Sequence, residues 1–516
     1  MTLKLNHLIR STTILMVAFF INKLLAIGRQ IVIAPTFGTG SEYDAYIAAF
    51  RLPDILYMLI SGGALATAFI PVLSQRLSHQ PADDPHGWRL VSAVLNTMLL
   101  AALTVSIMVA ILAQPIVTWL IAPGFDPATQ HLTAQLMRLV LISTIIFSLS
   151  GLIGAVLHTR QHFVLPAIAP ILYNLGIIGG ALFLAPHFGV YGLIYGTILG
   201  AAAHLLIQLP GFIYYATRDA TRFYFPLLGW HDPDLREVVR LMGPRLITLF
   251  VIQFNFIIMY NLASRLGEGS VSALDYGWDL MQMPQTIIGT AIGIVLFPTM
   301  AELAARHDRA QLWQTTVYAM RVMLILAVPA MVGLIVLGRP VIQLMFERGK
   351  FGPDSTAAVY QSLQFWAIAL VGHCLMEVAN RYFYAQKDTF TPLITATFGM
   401  FLNLTFALAL YQRLDAGGLA LSNGLAVSLE VIILLIIAYR QSGLADFRAL
   451  GLTFAQTLFA AIIMGGLIIG LMSLIPTWPL LAQISISGLL GLMSYGLIIG
   501  LMGMAEVREL WQGYSK

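Results

Sequence analysis

The sequence predicts an all-α polytopic membrane protein of about fourteen transmembrane helices, built as two pseudo-symmetric six-helix lobes plus two extra C-terminal helices. Three observations predict it: charge is scarce, apolar runs of spanning length follow one another almost without pause, and the two parts of the chain repeat each other's landmarks. Charged residues are 10% of 516 and apolar ones 58%, with a mean hydropathy of +0.82. A water-soluble fold could not cover itself with so little polarity, so the bilayer must be the solvent.

The first span, 11–36, follows the basic Lys4 and Arg10. It begins like a signal peptide, but its apolar run continues to Pro35 without a small-residue cleavage site, so it reads as a retained helix. Span 2, 41–75, is interrupted by RLPD at 51–54, by Gly62-Gly63 and by Pro71, features of a helix that bends. Spans 88–120, 129–157, 163–185 and 189–215 complete a first lobe, residues 1–218. A linker over roughly 217–234 leads to a second lobe, residues 219–440, with spans 235–263, 270–303, 312–337, 355–384, 389–411 and 416–439. Residues 441–516 add spans 449–474 and 479–503. Most of the 28 lysines and arginines then fall on one side, with Arg265, Arg339, Arg348, Lys350 and Arg413 on the other. By the positive-inside rule both termini are cytoplasmic.

The repeat is weak in identity and strong in spacing. FGTGSEYDAYIAAFRLPD aligns with LGEGSVSALDYGWDLMQMPQ, matching Gly38 and Ser41 with Gly267 and Ser270. Further on, Pro166 pairs with Pro392 and Gly192 with Gly418 at one common interval. Six spans per unit make the repeats parallel, related by an axis along the membrane normal, which is a transporter plan.

Ionisable groups inside the spans are the candidate site residues, because a charge at mid-bilayer costs at least about 2.5–3.5 kcal/mol. In span 1, Ser11, Thr12, Asn22, Lys23, Arg29 and Gln30 share an arc of about 120° on a helical wheel. Lys23 and Arg29 therefore read as cavity residues, with a structural ion pair or snorkelling as the alternative. Span 2 aligns Asp44, Ala48 and Arg51 on one face, and Asp44, near a span end, serves equally as a helix cap or a solvated carboxylate. Span 8 carries Asp275, Trp278, Asp279 and Gln282 on a stripe of opposite sign, suited to neutralising Arg29 or Lys23 or to binding a coupling proton or cation. Glu377 and Glu430 are further coupling or counter-ion candidates. His373 and Glu377 stand one turn apart, too few ligands for a metal site. Arg245, after Gly243-Pro244, is placed to meet an anion entering span 7. Cys374 reads as a small core residue.

No enzymatic motif emerges, so no catalytic residue is assigned. Asp232-Pro233-Asp234 resembles a glycosyltransferase DxD, but Asp234 followed by Glu237 reads as a capping box. A P-loop is lacking, so transport draws on gradients rather than on ATP.

Across its length the chain resembles the MurJ (MviN) family of lipid II flippases, within the multidrug/oligosaccharidyl-lipid/polysaccharide exporter superfamily. NKLLAIGRQIVIAPTFGTGSEYDAYIAAFRLPD, SGGALATAFIPVLSQ, APGF at 122–125 and GSVSALDYGWDLMQMP carry the resemblance. It implies a V-shaped molecule with a central cavity lined by spans 1, 2, 7 and 8, and a groove on spans 13 and 14 for a polyprenyl tail. By motif alignment the substrate positions fall on Lys23, Arg29, Tyr57, Asp279 and Asp44. Arg29 and Asp44 match the family, whereas Tyr57 and Asp279 stand where it carries cations; Arg51 and Arg245 are candidates to replace that charge. The implied activity is translocation of undecaprenyl-pyrophosphate-linked peptidoglycan precursor from the cytoplasmic to the outer leaflet by alternating access. Alternatives are a flippase for another lipid-linked oligosaccharide, a cation-coupled small-molecule antiporter, and a membrane glycosyltransferase. The expected setting is the bacterial inner membrane, as a monomer, with a polyprenyl-pyrophosphate-linked glycan and membrane lipid as partners. Neither a nucleic acid nor a cofactor is expected beyond coupling to membrane potential or a monovalent cation.

Overall fold

The computed structural model describes residues 2–60, 63–78, 86–219, 224–230, 232–442 and 447–503, which leaves Gly62, Arg222, Arg508 and Lys516 outside. All regular structure among the described residues is helical. In order the helices are α1 (Thr2–Phe37), α2 (Ser41–Ile60), α3 (Gly63–Ser78), α4 (His86–Ile111), the short α5 (Ala113–Ile116), α6 (Pro127–Thr159), α7 (Val164–Gly179), the short α8 (Ala185–Phe188), α9 (Val190–Leu206), α10 (Leu209–Asp219), α11 (Pro233–Ala263), α12 (Ser270–Gln285), α13 (Ala291–Ala305), α14 (Arg309–Phe346), α15 (Pro353–Ala385), α16 (Phe390–Ser442), α17 (Phe447–Leu474) and α18 (Leu480–Leu501). Wide π-turns continue α5, α7 and α12 over Val117–Ile121, Gly180–Leu184 and Thr286–Thr290.

Eleven helical segments among the described residues are long and apolar enough to cross a membrane. One of them, Phe390–Gln441, has length for two crossings and is kinked at Asp415, between the spans expected at 389–411 and 416–439. The expected spans 41–75 and 235–263 are not among the eleven. Glu42, Asp44, Arg51 and Asp54 load α2 with charge, and the apolar part of α11 is limited to Leu249–Ala263.

The backbone carries the repeat further than the side chains do. Ser41 and Ser270 open α2 and α12, each after a glycine of positive φ, Gly38 at 62° and Gly267 at 114°. Helices α6 and α15 are both 33 residues long and both begin at a proline. Gln161 and Lys387, with φ of 56° and 63°, are separated by the same interval as Pro166 and Pro392. Gly189 (φ 57°, ψ −138°) and Asp415 (φ 50°, ψ −140°) share that interval and nearly the same backbone angles.

The chain divides into two compact units, residues 1–261 with 348–350 and residues 262–347 with 351–516. In the first unit α6 packs against α2, α3, α4 and α9, consistent with a helix apolar on all sides. Helices α7 and α9 touch backbone to backbone: a Cβ on Gly196 would stand 2.6 Å from the Gly180 Cα. Spacings of four residues (Gly176-Gly180, Gly192-Gly196-Gly200) permit this approach, as small residues do between helices in lipid. Most of α11 belongs to this unit because Leu235, Val238 and Met242 enter the core formed by Phe69, Trp88, Val94 and Val156. An Arg76–Asp234 ion pair reinforces the foot of α11, and the neighbouring carboxylate raises the Arg76 pKa. Asp234 is thus an ion-pair partner, and the cap of α11 is Asp232, whose Oδ1 accepts from the Asp234 amide at 2.9 Å.

Residues 224–230 lie along α4 as a strap. Asn96 Nδ2 donates to the carbonyls of Phe225 and Leu227 at 2.9 and 2.8 Å, and Thr97 Oγ1 to that of Leu228 at 2.8 Å. Ser92 Oγ accepts from the Phe225 amide at 3.1 Å. The turn at 348–350 is seated on the end of α1, where the Lys350 amide donates to the Pro35 carbonyl at 2.8 Å. Gly349 has φ 58°, and a Cβ there would stand 2.3 Å from that carbonyl oxygen, so only glycine fits.

In the second unit α15 is the counterpart of α6 and packs against α12, α13, α14 and α16. Helices α17 and α18 seat Ala460, Met464, Ile468 and Ile499 on Leu324, Ile325 and Val328 of α14. Lipid removes the hydrophobic drive between helices, so close packing and hydrogen bonds hold the pair. Tyr495 donates to the Ile325 carbonyl at 2.7 Å, and Arg321 Nε to Thr453 Oγ1 at 2.9 Å.

Candidate functional site

Apolar helices leave a half-buried guanidinium few ways to be satisfied, and α2 uses an aromatic phenol for Arg51. Its Nη2 donates to the Tyr260 hydroxyl at 2.5 Å, while Cζ stands 3.7 Å from the centre of the same ring. Tyr260, on α11, therefore acts as acceptor and cation–π face at once. Arg29, half-buried on α1, belongs to the same unit. In that unit Asp54 and Tyr57 of α2 and Tyr173 of α7 line one cavity. Beside Arg29, Gln30 is buried and its Oε1 accepts from Tyr43 at 2.9 Å, which ties α1 to α2.

The structure separates the expected site residues into distinct environments. Lys23 is exposed on α1, one turn and a half from Arg29. Asp44 is only 1% exposed in the first turn of α2, so its reading as a solvated carboxylate is overturned. Arg245 lies outside the residues whose side chains are described. In the second unit Asp275 and Asp279 are half-buried on α12. Between them Trp278 packs its ring 4.7 Å from Trp366 and 5.4 Å from His373. Glu377 is ion-paired with Arg381 one turn on, and its Oε1 accepts from Gln285 at 3.4 Å. His373 bonds Asn423 at 3.0 Å rather than Glu377. Glu430 is buried, accepts from Thr395 at 3.5 Å, and its Oε2 would lie 2.7 Å from a Cβ on Gly399. Cys374 is buried, as a small core residue would be.

Tyr260, which holds Arg51, and Tyr173, Asp54, Phe147 and His204, which line a cavity of the same unit, were not singled out by the sequence. An aromatic residue in an apolar helix looks like core or lipid-facing material until its neighbour is known. Asp54 was visible in the RLPD break but carried no periodic signal of its own.

Apolar helices long enough to cross a membrane, backbone landmarks repeated along the chain, and charges held inside the helices define a polytopic transporter rather than a catalyst. The chain belongs to the MurJ family: the family model described as "Lipid II flippase MurJ" matches residues 33–487. A relative in Burkholderia cenocepacia, "Lipid II flippase MurJ", is 30% identical over 452 residues, 87% of each chain. One in Vibrio cholerae, "Probable lipid II flippase MurJ", is 27% identical over 516 residues, 97% of each. Among solved structures, "Lipid II flippase MurJ, inward closed conformation" has the same fold with TM-score 0.79 and 23% identity, covering 95% of this chain and 98% of that one. An inward-facing MATE family transporter of the MOP superfamily follows with TM-score 0.67 and 15% identity, covering 82% and 94%. Family and fold place the chain in the bacterial inner membrane as a multi-pass protein.

Proposed function

We propose that this protein flips lipid II, the undecaprenyl-pyrophosphate-linked peptidoglycan precursor, from the cytoplasmic to the outer leaflet by alternating access. The observation that carries the reading is the pair of half-buried guanidiniums, Arg29 and Arg51, in a chain of this family. Lipid does not tolerate such charges without a task, and a pyrophosphate is the ligand that guanidinium forks match best. Lys23, Asp44 and Arg245 are the further headgroup-binding candidates of the first unit, and Asp279 is that of the second. Asp275, Glu377 and Glu430 are held as coupling or counter-ion groups, Glu377 acting through its pairing with Arg381.

The chain crosses the bilayer about fourteen times with both termini cytoplasmic, following the positive-inside pattern. Counted by the repeat, residues 1–218 and 219–440 are the paired lobes, with most of α11 packed on the first, and 441–516 hold the polyprenyl tail. The protein works as a monomer, without a cofactor or nucleic acid. An inside-negative potential drives anionic charge outward by about 2.3 kcal/mol per charge per 100 mV, and a monovalent cation is the alternative source of energy.

The test is rescue of a flippase-depleted bacterium. Wild type is expected to restore growth, and Arg29→Ala and Arg51→Ala to fail at equal membrane abundance. Lack of rescue by abundant wild type would remove the lipid II assignment. Full growth with both variants would remove the guanidiniums from the mechanism.

A further inference from the structure

We propose that a cavity inside the first unit, walled by α2, α6, α7 and α9, is a subsite for a single neutral pyranose ring of the substrate headgroup. The proposal rests on the reading of the substrate as a lipid-linked glycan, and it concerns a place distinct from the guanidinium of Arg51. The cavity measures about 240 Å³. That is below the roughly 300–1,000 Å³ of sites for drug-sized ligands, so it has room for one substituted six-membered ring and not for a disaccharide.

Its lining has the mixed chemistry that a sugar requires. Phe147 of α6 is the central wall, with Tyr57 at 5.3 Å, Tyr173 edge-on at 4.9 Å and His204 edge-on at 5.1 Å between ring centres. Such rings offer flat apolar faces for the C–H side of a pyranose. Polar atoms surround them: Asp54, Ser143 and Thr144 join the two tyrosines and His204 in the lining. Ser143 donates its proton to the Val140 carbonyl at 2.7 Å, and Thr144 to that of Pro53 at 3.4 Å. With those protons engaged, both hydroxyl oxygens present lone pairs, as the Asp54 carboxylate does, and sugar hydroxyls supply the donors. His204 is held from behind by Ser150 at 2.7 Å, and Gln208 donates to the same Ser150 oxygen at 2.7 Å. The ring orientation is thus fixed by a second layer, as in sites built for one ligand.

Electrostatics decides between a sugar and the other ligand of aromatic cavities, an organic cation. A cation cage wants uncompensated negative charge beside its rings. Here the lining sets one carboxylate, Asp54, among the hydroxyls of Tyr57, Ser143, Thr144 and Tyr173, so neutral polar atoms outnumber the charge at the wall. A neutral, hydroxyl-rich ring fits that balance better.

The experiment uses the full chain in a detergent without a sugar headgroup and reads saturation-transfer NMR on methyl N-acetyl-β-glucosaminide. Wild type is expected to saturate the ring and acetyl protons of this probe. Phe147→Leu and Asp54→Asn should each lower the transfer about five-fold, as loss of a stacking wall or of a charged acceptor does. Phe147→Tyr, which keeps the wall, should retain most of it and shows that the loss is not unfolding. No transfer to wild type, equal transfer to all variants, or transfer to tetraphenylphosphonium in place of the sugar would overturn the subsite. Wild type that rescues depleted cells but shows no transfer removes the subsite alone. Transfer without rescue supports the subsite and removes the lipid II reading.

Discussion

Replacing Tyr260 separates the two ways in which its ring holds Arg51. Tyr260→Phe removes the acceptor 2.5 Å from Nη2 and keeps the face 3.7 Å from Cζ; Tyr260→Leu removes both. A hydrogen bond to a charged group contributes about 1.5–3 kcal/mol, and a cation–π contact from about 0.5 to 2 kcal/mol as it is desolvated. Partners found within the membrane-inserted unfolded chain lower such values, which favours the low end of each range. The expectation is about 1–2 kcal/mol lost in Tyr260→Phe and about 1 kcal/mol more in Tyr260→Leu. Combining Arg51→Ala with Tyr260→Leu should then show a coupling near 2 kcal/mol, because the second change finds the interaction already gone. The assay is unfolding of the purified protein by SDS titration, followed by far-UV circular dichroism, for wild type, both single variants and the double variant. A coupling below about 0.5 kcal/mol, the limit within which independent sites add, would refute the argument that this ring stabilises the guanidinium.

Three further expectations follow from backbone geometry and from one cap. Gly349→Ala should destabilise by about 2–4 kcal/mol, from a positive φ and from displacement of the Lys350–Pro35 hydrogen bond; Gly349→Asn should be nearly as harmful in the same titration, because asparagine tolerates the φ but not the contact. Asp415→Gly, which restores the residue type of the equivalent Gly189, should stabilise by about 1 kcal/mol, since φ 50° with ψ −140° strains any side chain. Asp126 caps α6 through the amides of Ala128 and Thr129 at 3.0 and 3.2 Å, and hydrogen bonds led by the Thr129 side chain hold its pKa below the usual value. Its contribution is therefore complete above the ordinary aspartate pKa of about 3.9 and fades as pH falls through the lower folded value; intrinsic-rate-corrected exchange of the Ala128 and Thr129 amides should show that loss in wild type and no pH dependence in Asp126→Ala.

The fold was legible because lipid imposes length and apolarity on every crossing, and because Pro166 with Pro392 and Gly192 with Gly418 preserved the repeat. Its strongest evidence was hidden. Gln161 and Lys387, or Gly189 and Asp415, have nothing in common as letters, yet the first pair shares a positive φ and the second nearly the same φ and ψ. Arg29 and Arg51 were legible as charges out of place. Their surroundings were not, since Tyr260 lies more than two hundred residues beyond Arg51 and periodicity says nothing about which helices meet. The cap of α11 was misread for a related reason: Asp232 and Asp234 are equally plausible as residues, and the ion pair of Asp234 with a distant Arg76 is what leaves the capping to Asp232.

The strap at residues 224–230 changes how the protein could be taken apart. A duplicated bundle suggests two polypeptides, separately made, that reassemble wherever the joining segment is cut. Here a cut or an inserted tag within 224–230 would also cost Ser92, Asn96 and Thr97 their hydrogen bonds to the strap. A two-fragment version, or a fluorescent reporter spliced into the join, should therefore keep this segment on the N-terminal piece, and should carry the foot of α11 with it, because Leu235, Val238 and Met242 belong to the same core.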